Sequence, residues 1–513
     1  MGPFADATAD VYPGLAVRKA TVLRLSHPGP ARARTKVIGS SRNHGQSRAM
    51  TRPLVLLALV AATSVAMGAV PLAAPAADQA VTPPADQEVP SPPPNILVIV
   101  TDDQRVDMME AMPRTRRLFA DKGTTYPNAY ATTPLCCPSR ASIMTGLYAH
   151  NHNVKTQSRA GATLDVGLTM QHYLSSSGYY TGFIGKWLNG WDIKVKPPYL
   201  DETAFFTSSG VVYANGRWNL DGTVVHVAGY STDFMTKRAT SFLTRAEAQD
   251  GRPWFLMLTP PQPHRPYRPQ RKYAQDRFSK WVRDPSVGEE DRSDKPPWIE
   301  NATSALVRAP RIRTNQMRTL ESVDDMVASV FRTMRENGES STTLAIFTSD
   351  NGYLWGEHGI LDTKRHPYTP SVHVPLFMRW PGNVAAGNVD SRFAANIDIA
   401  TTIFEASGNT ERATQVDGRS LLQPSSRQKI LLEYWEGDTP LDTWASLRTD
   451  TYQYIEYYDE TGAVIYREYY DLESDPFQLE NLLDNGTPLD DPEFITLSND
   501  LAQARECSGP TCP

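Results

Sequence analysis

The chain has 513 residues, 40% of them hydrophobic and 21% charged, with a formal net charge of −6. That length buries a sizeable core and that composition excludes a disordered chain, pointing to one large domain with a smaller one beside it. The charges are mixed along the chain with no basic stripe, which excludes a nucleic-acid partner, and 40 prolines with 32 glycines call for long ordered loops.

At the N-terminus, Met50-Thr51-Arg52 precedes an apolar run from Leu54 to Val70 and the small residues Ala73-Ala74-Pro75-Ala76-Ala77. A single membrane anchor competes with a signal peptide over residues 50–77. Thr63, Ser64 and Gly68 interrupt the run and small residues end it, which favours export. An export signal does not follow 49 other residues, so residues 1–49 read as an extension upstream of a true start at Met50. Residues 78–94, rich in Pro, Ala and acidic side chains, read as a flexible leader. The expectation is a secreted or cell-surface protein with no stable membrane span after signal cleavage.

The folded part opens with Asn95-Ile96-Leu97-Val98-Ile99-Val100, a continuous apolar run of the kind buried on both faces of a parallel sheet. Thr101-Asp102-Asp103 follows at once. Three later runs repeat that grammar. Tyr180 to Gly185 leads to Lys186, Trp254 to Leu258 leads to Pro263-His264, and Thr343 to Thr348 leads to Ser349-Asp350-Asn351-Gly352. In open α/β sheets the ligand sits beyond the carboxyl ends of the strands, so four apolar strands that deliver polar residues there define one site. Between them, Leu320, Val323, Val327 and Val330 form one stripe of a helix over Met317 to Met334. Asp102, Asp103, Asp350 and Asn351 offer carboxylate and amide oxygens from two strand ends, the ligands that a hard divalent cation such as calcium takes.

Past residue 420 the pattern changes to short alternating runs at Ile430–Tyr434, Trp444–Arg448, Tyr452–Glu456 and Val464–Tyr466, the signature of a small antiparallel sheet. Cys507 and Cys512 enclose four residues and can close a terminal loop outside the cytoplasm. The fold expected is α/β: a large mixed, mostly parallel sheet sandwiched by helices over 95–420, plus a smaller C-terminal α+β subdomain over 421–513 with an antiparallel sheet.

Cys136-Cys137-Pro138-Ser139-Arg140 with Thr145-Gly146 is the most specific stretch. On spacing alone two adjacent cysteines are a pair of buried thiols or half of a disulfide. The full pattern, however, resembles the signature of the type I sulfatases of the alkaline-phosphatase superfamily, and Asp471-Leu472-Glu473-Ser474-Asp475-Pro476 through Asn481-Leu482 resembles that family's ending, with Gln478 where Glu is frequent. The resemblance runs from Asn95 to about Leu482. It implies that a formylglycine-generating enzyme converts Cys136 to formylglycine. The hydrated aldehyde then attacks the sulfur of a sulfate ester, forms a sulfo-enzyme, and expels sulfate through its second hydroxyl.

The resemblance further implies one calcium ion on Asp102, Asp103, Asp350, Asn351 and the modified Cys136. Arg140 becomes a donor to the modified side chain or to sulfate oxygens, Lys186 and Lys364 sulfate-binding groups, and His264 the acid that protonates the leaving alkoxide, a role Lys364 can share. Where many sulfatases have Gly-Lys-Trp-His, this chain has Gly185-Lys186-Trp187 and then Leu188-Asn189. That variant, the doubled cysteine and Tyr148-Ala149-His150-Asn151-His152-Asn153-Val154 resemble the N-acetylglucosamine-6-sulfatases, which makes His150 and Asn189 candidate contacts to a 6-O-sulfated sugar in a glycosaminoglycan. His150 and His152 can equally cap a helix. Thr369 and His373 stand where the family often has Glu and Arg. The alternatives are a phosphonate or phosphate ester hydrolase of the same superfamily, a general arylsulfatase, and a non-catalytic glycan-binding relative; the last is expected to lose Cys136 or a metal carboxylate, and this chain keeps both.

Overall fold

In the computed structural model, the residues described are 92–513 except 208–211, 250, 303–304, 436, 438–440, 488 and 490. The extension, the signal peptide and all but the last three residues of the leader lie outside them. Among the described residues no helix is long and apolar enough to cross a membrane.

Ten strands form one sheet. Its order is Asn388–Val389, Thr124–Thr125, Leu376–Arg379, Thr343–Ser349, Asn95–Thr101, Trp254–Thr259, Tyr180–Lys186, Glu202–Phe206, Ala214–Leu220 and Thr223–Tyr230. The five from Thr343–Ser349 to Glu202–Phe206 run parallel, and antiparallel pairs extend the sheet on both sides. Successive side chains of a strand point to opposite faces. Accordingly Ile96, Val98 and Val100 enter one core with Ile143, Leu174 and Ile399, while Leu97 and Ile99 enter another with Phe242, Leu320, Val323 and Val327. This double burial is why the strand reads as an unbroken apolar run. Each of its aliphatic side chains contributes about 2 kcal/mol by leaving water.

The helices Cys136–Thr145, Met170–Ser176 and Asp398–Ala406 supply the first core, and Pro113–Phe119, Ser231–Glu247 and Ala309–Glu336 the second. The last helix is longer than the stripe over Met317 to Met334 predicts, because its first turns bury only Ala309, Ile312 and Arg313 and so carry little periodicity. The C-terminal part is an antiparallel meander of Ile430–Tyr434, Thr443–Arg448, Tyr452–Tyr458 and Val464–Asp471, packed on helix Phe494–Arg505, and its core is shared with Tyr148, Leu354, Tyr368 and Ile397 of the preceding part. Cys507 and Cys512 are disulfide-bonded.

Candidate active site

The register of the sheet assembles the acids. Asn95–Thr101 and Thr343–Ser349 pair in parallel with Thr101 opposite Ser349, so the next residues, Asp102 and Asp350, leave the sheet side by side. Asp102 donates its N–H to the Gln262 carbonyl at 3.0 Å, tying in the loop that carries His264. Asp103 sits at φ 69°, a left-handed conformation that Asp tolerates better than most residues. Its N–H reaches Asp350 Oδ1 at 3.1 Å, and Asn351 Nδ2 donates to Asp103 Oδ1 at 2.8 Å. The two acidic pairs therefore converge.

Cys136 is the first residue of helix Cys136–Thr145, all ten residues of which are buried. Pro138 falls in the first turn, where a missing N–H leaves no helical bond unmade. The Cys137 N–H is capped by Gln157 Oε1 at 3.0 Å. Gly146 ends the helix at φ 73°, and a Cβ there would press on Val416, Thr401 and Ala400 at 3.2–3.4 Å. Ser139 Oγ donates to the Asp350 carbonyl and accepts from Asn396 Nδ2, locking the helix start to the strand end. Arg140, 2% exposed, donates Nε to Asp350 Oδ2 at 2.8 Å and Nη1 to the Lys186 carbonyl at 3.2 Å. Its Nη2, without a hydrogen-bond partner, lies 3.8 Å from Asp102 Oδ2.

Cys136 Sγ thus lies 3.3 Å from Asp102 Oδ1 and accepts from Lys364 Nζ at 2.8 Å. Lys364 also pairs with Asp103 Oδ1, and Lys186 Nζ donates to Asp102 Oδ2 at 2.6 Å. His264 Nδ1 faces the Arg265 carbonyl at 2.7 Å; a carbonyl only accepts, so Nδ1 carries a proton and Nε2 is the nitrogen turned to the cluster, 3.7 Å from Asp103 Oδ2. His264 is 27% exposed, which leaves it open to a ligand.

Burial alone would raise the Asp102 carboxyl, but Lys186, His264, Arg140 and Lys364 together hold it well below the usual carboxylate range. Burial and Asp102 raise Asp350 despite Arg140. Burial opposes the charge on Lys186 and Lys364, yet Asp102 and Asp103 respectively keep both ammonium groups above the ordinary lysine value. The Cys136 thiol is pushed up by burial and then by Asp102, so as an unmodified cysteine it is a poor nucleophile.

One donor atom from each of Asp102, Asp103, Cys136 and His264 lies within 4.8 Å of the others. Asn351 Oδ1, buried, has no hydrogen-bond partner and is an acceptor left over. Three carboxylates and that oxygen make a hard donor set suited to calcium or magnesium; an oxygen in place of the Cys136 sulfur completes it.

Three residues singled out from the sequence have their described contacts away from the acids. His150 spends both ring nitrogens on the C-terminal part, on Glu433 Oε2 at 2.8 Å and the Cys507 carbonyl at 2.9 Å. Asn189 is half-buried and places its N–H 3.3 Å from Cys137 Sγ. His152 is buried against Ser142 Oγ at 3.0 Å. Sequence reasoning missed Gln157, whose capping role nothing in Lys155-Thr156-Gln157-Ser158 announces. It also missed Asp362, one residue removed from Lys364, which accepts from the Tyr353 and Tyr267 hydroxyls.

Known proteins place the chain in a family. The model of the sulfatase family matches residues 94–409. The chain belongs to the sulfatase family. A second model, that of the N-sulphoglucosamine sulphohydrolase C-terminal region, matches 356–505 of this sulfatase. An extracellular sulfatase SULF-1 homolog of Drosophila melanogaster is 33% identical over 362 residues, 67% of this chain but 32% of the relative, and a Caenorhabditis elegans counterpart is 31% identical with 64% and 48% covered. The chain thus spans half or less of the length of those two proteins. Human N-acetylglucosamine-6-sulfatase is 29% identical over 485 residues, covering 82% of this chain and 86% of the relative. In fold, the sulfatase is similar to BT4656, solved in complex with D-glucosamine-2-N,6-O-disulfate: TM-score 0.66, 22% identity, 81% of this chain and 97% of that one.

Proposed function

We propose that this sulfatase hydrolyses sulfate esters, with 6-O-sulfated N-acetylglucosamine in glycans as its substrate class, at formylglycine derived from Cys136. The observation that carries the reading is the placement of Cys136 at a buried helix start, with Asp102, Asp103 and Lys364 around its sulfur and Lys186, Arg140, Asp350, Asn351 and His264 behind them. Formylglycine at this position would supply a hydrated aldehyde, a nucleophile for sulfur with a second hydroxyl that allows sulfate to be released. Asp102, Asp103, Asp350 and Asn351 would hold calcium, which supplies Lewis-acid polarisation of the sulfate.

The chain's own residues divide the remaining work. Lys364, 2.8 Å from the position of the nucleophile, and Lys186 hold sulfate oxygens and offset the charge gathering on them. Arg140 is spent largely on orienting Asp350 and the Lys186 strand end, so its role is positional. His264, partly exposed and fixed through Nδ1, presents Nε2 to the cluster, and as the imidazolium it gives the Nε2 proton to the departing alkoxide. Asn189 supplies a contact to the sugar beyond the sulfate. Similarity to the human N-acetylglucosamine-6-sulfatase supports the choice of sugar. Export through the signal at residues 50–77, after maturation by a formylglycine-generating enzyme, accords with the extracellular relatives.

The test is a panel of aryl sulfates, aryl phosphates, phosphonate esters and 6-sulfated glucosamines run on protein of verified formylglycine content. Sulfate release, highest on the sugar sulfates, is expected. Release of phosphate or phosphonate with no sulfate would overturn the reading.

A further inference from the structure

A cavity of about 260 Å³ adjoins the cluster, lined in part by Arg265, Tyr267, Arg308, Arg311, Asn315 and Asp362. Two of its lining residues, Arg265 and Asp362, lie close along the chain to the catalytic candidates, and a third residue, Tyr353, links Asp362 to them. Arg265 directly follows His264, Asp362 is separated from Lys364 by Thr363 alone, and Tyr353, whose hydroxyl donates to Asp362 Oδ1 at 3.1 Å, lies two residues after Asn351. Two residues of chain span at most about 7 Å, so the backbone at Asp362 lies within that reach of Lys364.

The charge in this cavity is unbalanced. Three guanidinium groups face one carboxylate, a surplus of two positive charges among the named lining residues. Asp362 is 10% exposed and fixed by Arg265 at 2.8 Å, Arg308 at 3.1 Å and the Tyr267 hydroxyl at 2.7 Å. It therefore acts as an anchor that orients the two arginines, which remain 53% and 60% exposed. Arg308 commits one nitrogen to Asp362, and Arg311 makes no ion pair among the described residues. A guanidinium carries five donors in a planar fork that matches a sulfate or carboxylate edge. The 28-residue helix Ala309–Glu336 also begins at this cavity, adding the positive end of its dipole. A structural patch would be expected to pair its arginines one to one; this one leaves donors turned to solvent beside a site for an anionic ester.

We propose that this cavity is a second anion subsite, which takes a sulfate or carboxylate on the sugar unit neighbouring the one being desulfated. The inference rests on the reading of the cluster as a sulfate-ester site, and it deepens it: the preferred substrate is a polyanionic glycan, selected by Arg308 and Arg311 and not by the catalytic groups. The test compares two oligosaccharides with the same 6-O-sulfated terminal N-acetylglucosamine, one with a carboxylate or second sulfate on the adjacent unit and one neutral there.

Calorimetric affinity is measured for wild type, Arg311→Gln and the Arg308→Gln/Arg311→Gln pair. Wild type should bind the doubly charged compound about tenfold more tightly, as a charge-assisted contact discounted for exposure allows. The paired variant should lose that preference while its affinity for the singly charged compound changes less than about twofold. Should the pair not fold, Arg311→Gln alone, at a position with no ion pair, should show at least a partial loss. No preference in wild type, or a preference that survives in the variants, would overturn the subsite. Sulfate release is scored separately on both compounds: its absence in wild type overturns the sulfatase reading, whereas the binding preference decides the subsite in either case.

Discussion

At the residue scale the site separates groups that touch the ester from groups that aim them. His264→Ala should reduce kcat on a sugar sulfate about a hundredfold, because the alkoxide then departs unprotonated. An aryl sulfate with an acidic phenol should lose far less. Comparing kcat across leaving groups of graded acidity checks this, and a uniform loss would assign His264 to sulfate binding instead. Asn189→Ala should lower kcat/KM on 6-sulfated N-acetylglucosamine more than on an aryl sulfate, since a site built to pair with sugar hydroxyls rejects compounds lacking them; equal losses would place Asn189 with the sulfate. Cys136, Asp102, Asp103, Asp350 and Asn351 were legible because each stands in a motif at a strand end or helix start. Gln157 and Asp362 were not, because a loop residue that caps or anchors carries no periodicity.

At the element scale, four of the five parallel strands were legible because burial on both faces leaves an unbroken apolar run that ends where the polar site residues begin; Glu202–Phe206 carries no such run. The hairpin Ala214–Leu220/Thr223–Tyr230 was missed. Its strands are largely exposed and lack clean alternation, yet Asp221-Gly222, both at positive φ (50° and 96°), is the Asp-Gly turn signal that would have found it. The sequence departures at Thr369 and Gln478 meet in space. Gln478 Oε1 accepts from Thr369 at 2.8 Å, and Arg448 donates to Thr369 Oγ1 at 3.0 Å, so two neutral side chains replace acids in one network. His373, where Arg is frequent, instead stacks on Tyr130 at 5.2 Å and bonds the Pro127 carbonyl at 2.7 Å.

The helix Ala149–His152 is held to the C-terminal part by His150, through residues 283 and 357 positions away that no local pattern reveals. His150 is 12% exposed. Burial lowers its pKa, but the hydrogen bond and charge of Glu433 more than offset this, leaving it above 6.5. A raised folded value means the contribution to stability is full below 6.5 and is lost as pH rises through the folded value. His150→Ala should therefore destabilise by about 2 kcal/mol at pH 5.5, since the buried Glu433 loses its ring partner at Oε2 and keeps only the residue-150 N–H at Oε1, and by less at pH 8.5. Denaturant titrations at both values check it; a penalty that grows with pH would contradict the assignment.

At the scale of the whole molecule, one strand end after another contributes to a single charged centre: Asn95–Thr101, Tyr180–Lys186, Trp254–Thr259 and Thr343–Ser349 each lead there, and Cys136–Thr145 begins there. Three buried carboxylates so close are costly unless cations compensate them. Chelation should accordingly abolish turnover and lower the melting temperature by several degrees, with calcium restoring both; a melting temperature unmoved by chelator and by added calcium would argue against a metal among those acids. The claim on which everything else depends concerns Cys136 itself. Trypsin releases it in the peptide 123–140, which also contains Cys137, so tandem mass spectrometry of fully active enzyme reads both positions at once. The account predicts that Cys136 has lost its sulfur and carries an aldehyde while Cys137 keeps its thiol; an intact thiol at Cys136 in that active enzyme would contradict it.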